Sequence, residues 1–145
     1  MAGPAFFYDF MMWTKEIEAI IAPVLDRMGV DLVQGMFSGE RGGRVLRLLI
    51  ERKGATPETG SGVDLGLCAE VSREVGAALD VNDVIGDAYN LEVSSPGIER
   101  PLIRPQDFER FSGRPAIVVT KGAVSGRRKF SGKLLGFEKS LPAYR

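Results

Sequence analysis

The residues with chemical potential in this chain are few, and they cluster. Of 145 residues none is histidine, and one is cysteine, Cys68. Without histidine, the Ser-His-Asp and Cys-His arrangements are unavailable, as is the usual base near neutral pH. A single cysteine makes no internal disulfide and cannot assemble a zinc site. Three carboxylates, Asp80, Asp83 and Asp87, fall in one predicted loop, where acids can hold a hard cation. Their spacing is not that of a twelve-residue calcium loop and no bidentate Glu closes it, so a solvated loop is the simpler reading. Arg127, Arg128 and Lys129 stand together at a predicted β-turn, with Phe130 beside them. Adjacent cations at a loop tip contact phosphates without reading sequence, and an aromatic face can stack a base. The competing reading is a solvated turn beside a core phenylalanine. Neither G-x-x-x-x-G-K-[ST] nor G-x-G-x-x-G occurs, and the cluster Gly39, Gly42 and Gly43 joins two predicted strands. Ser94-Ser95-Pro96-Gly97 follows a strand, then Glu99, Arg100 and Pro101. A serine nucleophile there would need a base, so the physical reading is a stiff connector. Arg100 is expected to pair with Glu99, or to reach across and set the angle between domains. Exposed, such a pair is worth about 0–1 kcal/mol.

The elements that must position these residues follow from periodicity. Ile17, Ile20, Ile21, Val24, Leu25 and Met28 repeat at helical spacing, predicting a helix over 14–28 with Thr14 as its cap and Gly29 as its stop. Pro23 inside it costs about 3 kcal/mol and predicts a kink. Residues 30–37 and 44–52 read as a hairpin, with Leu46, Leu48 and Ile50 on one face of the second strand. Asp64 is placed to cap a helix over 65–79, whose inner stripe is Cys68, Val71, Val75 and Leu79, which makes Cys68 a core residue. A third strand runs over 89–94. Beyond the prolines, the sequence predicts a short helix over 105–111, a strand over 115–121, a turn over 122–127 and a bent strand over 128–138, curved at Gly132 and Gly136.

Charge divides the chain at the same place. Residues 1–96 carry 8 Lys and Arg against 15 Asp and Glu, a net −7, whereas residues 97–145 carry 11 against 4, a net +7. The two parts therefore suit different partners, or dock on each other. No segment is long enough to span a membrane. The apolar start lacks the leading basic residues of a signal peptide and is interrupted by Asp9. Residues 1–13 are expected to be a non-native or disordered extension, with Met11 or Met12 as the true start.

Tyr89 to Leu102, with its Ser-Ser-Pro-Gly core, resembles the signature of the RimP family of ribosome maturation factors. The resemblance extends to Ile21-Ala22-Pro23-Val24, Val63-Asp64-Leu65, Cys68 to Arg73, Phe108 to Gly113 and Arg127 to Gly132, and covers about residues 15–138. It implies an α+β fold. An N-terminal αββαβ domain over 14–95, with two helices on one face of a small sheet, precedes a proline-rich connector over 96–104. An Sm-like, SH3-type β-barrel over 105–145 follows. Such a barrel has about five strands. Two are readable, so the barrel is expected to be incomplete, through truncation or a frameshift, with an unpaired edge.

The resemblance further implies a cytoplasmic, monomeric, non-enzymatic factor with no cofactor, metal or small-molecule substrate. Its partner would be the immature small (30S) ribosomal subunit, through ribosomal RNA and small-subunit protein twelve. The residues expected to orient the binding surfaces are Asp64, Arg73, Ser94, Ser95, Pro96, Gly97 and Arg100; Arg127, Arg128 and Lys129 are expected to contact the RNA backbone. Two alternatives stand beside this: a general RNA-binding β-barrel module, and a metal-dependent enzyme using the Asp80–Asp87 loop.

Overall fold

The structure is a computed structural model, which describes residues 4–40, 43–86, 88–97 and 100–136, with side chains from Lys15 onward except at positions 39 and 40. Asp87 and Glu99, singled out above, lie outside the described residues, as do residues 137–145. The chain is a mixed α+β protein with three helices and two sheets among the described residues. It divides into two compact units, Met1–Pro101 and Leu102–Arg145, and the division falls within the stretch 96–104.

Helix α1 spans Pro4–Arg27. It begins ten residues before Thr14, which is therefore not its cap. Proline suits a first helical position, and residues 5–13 contain neither glycine nor a second proline. Pro23 lies inside the helix, which continues to Arg27. The carbonyl deprived of its bond is that of Ala19, and both Ala19 and Pro23 are exposed, so water can satisfy it. Gly29 ends the helix at φ 72°, a left-handed conformation that glycine adopts without strain.

Strands β1 (Val30–Glu40) and β2 (Gly43–Arg52) are antiparallel, and β3 (Tyr89–Ser94) adds parallel to β2, giving the order β1-β2-β3. A bulge at Val33 shifts the β1–β2 register. The parallel β2–β3 pair requires a crossover, and helix α2 (Leu65–Asn82) supplies it. Asp64 caps α2, its Oδ1 accepting from the Leu67 amide at 2.8 Å. The helix ends at Asp83, left-handed at φ 48°. Asp80 thus belongs to the last turn of α2 and not to a loop. The periodic apolar stripe stops at Leu79, but nothing breaks the backbone before Asp83, which explains the longer helix.

Ile17, Ile21, Val24 and Leu25 from α1 and Val71, Val75 and Leu79 from α2 form one buried cluster with Val30, Leu46, Leu48 and Ile50 of the sheet. The alternation along β2 sends Leu46, Leu48 and Ile50 to the helices, with Leu91 and Val93 of β3 at the register of the first two. Cys68 is not a core residue as expected: it is half-buried at the first turn of α2, outside the cluster that Val71, Val75 and Leu79 join, and burial, then the Asp64 charge, pushes its thiol pKa above the ordinary value.

The opposite face of β2 is less apolar. There Arg47 pairs with Glu92 at 2.7 Å on the surface, whereas Glu51 is 2 % exposed. Glu51 faces Arg100. The guanidinium donates from Nη2 to Glu51 Oε1 at 2.7 Å and from Nε to Oε2 at 3.3 Å, and from Nη1 to the Pro101 carbonyl at 2.7 Å. Among the described residues Arg100 thus has as a partner a carboxylate 49 positions back on β2, and the pair is buried; a pairing with Glu99, one of the two possibilities offered by the sequence, lies outside the described residues.

In the second unit, α3 (Pro105–Arg110) is followed by β4 (Pro115–Val124) and β5 (Arg127–Lys133), an antiparallel hairpin. Strand β4 runs three residues beyond the predicted end, and β5 stops at Lys133, before Gly136. The turn is Ser125–Gly126, with φ of 51° and 81°, the pair of positive values of a tight two-residue hairpin turn. Asp107 is fully buried; its Oδ2 accepts from the Ile103 and Arg104 amides at 3.1 and 2.9 Å, and its Oδ1 from Arg104 Nη2 at 2.9 Å. Ile117, Val118 and Val119 are all more than half exposed, so neither face of the hairpin is packed among the described residues.

Two outcomes follow from the packing. Alkylation of Cys68 at pH 8.5 is expected to be slower in the native protein than in urea-unfolded chain, because folding half-buries the thiol and raises its pKa; equal rates would contradict that partial burial. Glu51→Ala leaves the Arg100 guanidinium buried without that carboxylate and is expected to cost about 3–5 kcal/mol in urea unfolding; a change below about 1 kcal/mol, the range of exposed pairs, would contradict the burial.

Candidate functional site

The residues expected to act lie in three places. The first is the start and outer face of α2. Asp64 is exposed but bound to the Leu67 amide, so its carboxylate already has a structural task. Arg73 is exposed further along the same helix.

The second place is the exit from β3. Ser94 is exposed, at the β3 end, opposite Leu49. Ser95 and Pro96 are half-buried, and Gly97 turns the chain at φ 76°. A Cβ at Gly97 would meet nothing within 4 Å, so the glycine is required by its backbone conformation and not by lack of space. Arg100 returns the chain to β2 through Glu51, and its side chain is 8 % exposed. Its guanidinium therefore works inward, on the fold, while Ser94 stands on the outward side of the segment.

The third place is the start of β5, where Arg127, Arg128 and Lys129 are all exposed. The Arg127 guanidinium lies over the Phe130 ring, 4.8 Å from its centroid, a cation–π stack. Arg128 Nε donates to the Thr120 carbonyl at 3.0 Å, and Thr120 Oγ1 donates to the Gly122 carbonyl at 2.6 Å. These bonds close an irregular stretch of β4, where pairing jumps from Val119–Lys129 to Val124–Arg127. Of the three cations, Arg128 is thus held across the hairpin, Arg127 is held over a ring, and Lys129 stands opposite Val119. The arrangement is a braced basic edge able to meet phosphate, with a ring and guanidinium beside it able to stack.

Sequence reasoning missed Glu51, Thr120 and Asp107. A partial signal existed for the first: Glu51 sits on the strand face that also carries Val45 and Leu49, although the exposed Arg47 shares that face. Asp107 was legible as an acid in the first turn of α3. Thr120 carried none, because its partners are set by the β4 irregularity.

Elsewhere, an open cleft of about 250 Å³ lies between α1 and β1, floored by Ile21, Ala22, Leu25 and Leu32 and rimmed by Glu18, Asp26 and Asp31. Lys53 Nζ spans Asp26 and Asp31 at 2.9 and 2.8 Å, and hydrogen bonds to Asp31, then Asp26, hold its ammonium pKa above the usual lysine value. Among the described residues no group of three or more His, Cys, Asp or Glu is arranged to hold a metal, and no helix is long and apolar enough to cross a membrane.

Comparison with known families gives a match to the RimP N-terminal domain over residues 20–99. That span takes in the C-terminal part of α1, the whole three-stranded sheet, α2 and the Ser-Ser-Pro-Gly exit, which together build most of the buried cluster and the outward face of the connector. With more than half of its length matched, the chain belongs to the RimP family of ribosome maturation factors.

Proposed function

We propose that this protein assists assembly of the small ribosomal subunit by binding the immature particle in the cytoplasm as a monomer, without catalysing a reaction or holding a cofactor. The observation that carries the reading is the family match over residues 20–99. In support stand the exposed cations of β5 and the net +7 of residues 97–145 against −7 before them. A basic unit suits ribosomal RNA, while the acidic unit suits a basic ribosomal protein such as small-subunit protein twelve. In this reading α1-β1-β2-α2-β3 is the N-terminal domain, and β4–β5 is the opening hairpin of an Sm-like, SH3-type barrel. The exposed Ile117, Val118 and Val119 are consistent with strands that a barrel would cover.

The mechanism is differential affinity. A factor that binds one conformation of the precursor more tightly than another shifts the population toward it, by no more than that difference. Arg127, Arg128 and Lys129 supply phosphate contacts, which position without reading sequence. Arg73 and the Ser94–Gly97 exit supply the surface of the first unit. Asp64 and Arg100 serve those surfaces from within, by capping α2 and by holding the connector. A general RNA-binding module would share the basic edge but not the preference for a precursor.

The protein is expected to co-sediment in sucrose gradients with precursor small subunits and not with mature ones. Equal partition onto free RNA of matched length would favour the general module and overturn the assembly reading. The double substitution Arg127→Ala/Lys129→Ala is expected to weaken binding uniformly. It should reduce the slope of log K against log salt by about 2, one for each phosphate left without its cation, with the unfolding midpoint of the first unit unchanged. An unaltered slope would remove these residues from the interface.

A further inference from the structure

The turn end of the β4–β5 hairpin carries more geometry than phosphate contact requires. Successive strand side chains alternate, so Arg128 and Phe130 share one face of β5 and Lys129 lies on the other. Arg127 is exposed, yet its guanidinium is seated over the Phe130 ring, 4.8 Å from the centroid. Phe130 is half-buried, so the ring serves as a floor and the guanidinium is the layer that meets solvent. Among the described residues the Arg127 side chain donates no hydrogen bond, and that of Arg128 donates from Nε alone, to the Thr120 carbonyl at 3.0 Å. That bond fixes the direction of the Arg128 fork and leaves its two terminal nitrogens for an anion. An exposed planar cation and a braced anion receptor thus occupy neighbouring positions.

A guanidinium differs from an ammonium in two ways that matter here. It is flat and weakly hydrated, so a base can stack on it, whereas lysine offers a compact, strongly hydrated charge. The contact with the ring also restrains a long side chain, so less freedom is lost when a base arrives. The geometry points to a site for one unpaired nucleotide of RNA: the base lies on the Arg127 guanidinium, backed by Phe130, and an adjoining phosphate sits in the Arg128 fork. Arg127 serves the phosphates by its charge and the base by its plane. A duplex cannot use this site, because its bases are stacked on one another and offer no free face. The inference rests on the RNA contact proposed above and adds the form of RNA that is held.

The test is equilibrium binding of the full chain to three probes: a uridine oligomer, the same ribose-phosphate chain without bases, and the duplex of the oligomer with its adenine complement. The oligomer is expected to bind about tenfold more tightly than the abasic chain, the scale of one stacked base. Per phosphate, the duplex is expected to bind no better than the abasic chain. Arg127→Lys keeps the charge, so the slope of log K against log salt should stay as it is while the gain from the bases is lost. Lys129→Ala should do the reverse, lowering the slope by about 1 and keeping the gain. Equal binding of oligomer and abasic chain, a duplex that retains the gain, or a gain that survives Arg127→Lys would overturn the inference and leave the phosphate contacts standing. Absent or salt-independent binding of all three probes would overturn both.

Discussion

The buried contact between Glu51 and Arg100 is the constraint on which the rest of this structure turns. Removing two charges from water is costly, and only close geometry with further hydrogen bonds offsets it. Among the described residues the guanidinium donates twice to the carboxylate and once to the Pro101 carbonyl. Their effect is directional. An ordinary apolar contact would hold the connector near β2, whereas a bidentate fork holds it in one register. The fork thus ties Arg100, shortly after the Ser-Ser-Pro-Gly exit, back to the sheet.

The two units contrast in what stabilises them. The first buries a continuous cluster drawn from two helices and three strands, with Val71, Val75, Val30 and Ile50 wholly enclosed. The second is held by polar devices: the Asp107 clamp, the Ser125–Gly126 turn, and the bonds of Arg128 and Thr120 across the hairpin. A two-stranded ribbon with exposed valines on both faces is marginal by itself. What stiffens the basic edge is thus hydrogen bonding, and the cations involved serve the hairpin and the surface together.

This double use bears on function. A factor that works by binding needs surfaces held in fixed positions more than it needs a reactive group. Asp64 and Arg100 illustrate the division: both belong to the segments that carry the family resemblance, and both bond within the fold, Asp64 at the exposed start of α2 and Arg100 in a buried pair. Arg73, Ser94 and Lys129 are the groups that face outward.

Periodicity was sufficient to place α2 and the core of α1 and of the first sheet, because a stripe of apolar residues at helical or strand spacing has one way to be buried. Leu46, Leu48 and Ile50, the Asp64 cap and the strand over 89–94 needed nothing beyond the chain itself. Ends were less legible. The helix α1 reaches back to Pro4, and α2 forward to Asn82, since no glycine or proline halts the backbone where the apolar stripe stops. Membership of the RimP family was also carried by local motifs. What only tertiary structure decided was partnership at a distance. Local spacing could not say which carboxylate Arg100 reaches, and left Arg128 between solvent and a phosphate contact. The parallel crossover through α2 instead brings the β3 exit alongside β2, where Glu51 stands, and the irregular pairing of β4 brings the Thr120 carbonyl to Arg128. Which charges meet depends on strand order and register, and those are set by the packing of the whole sheet and not by any short run of residues.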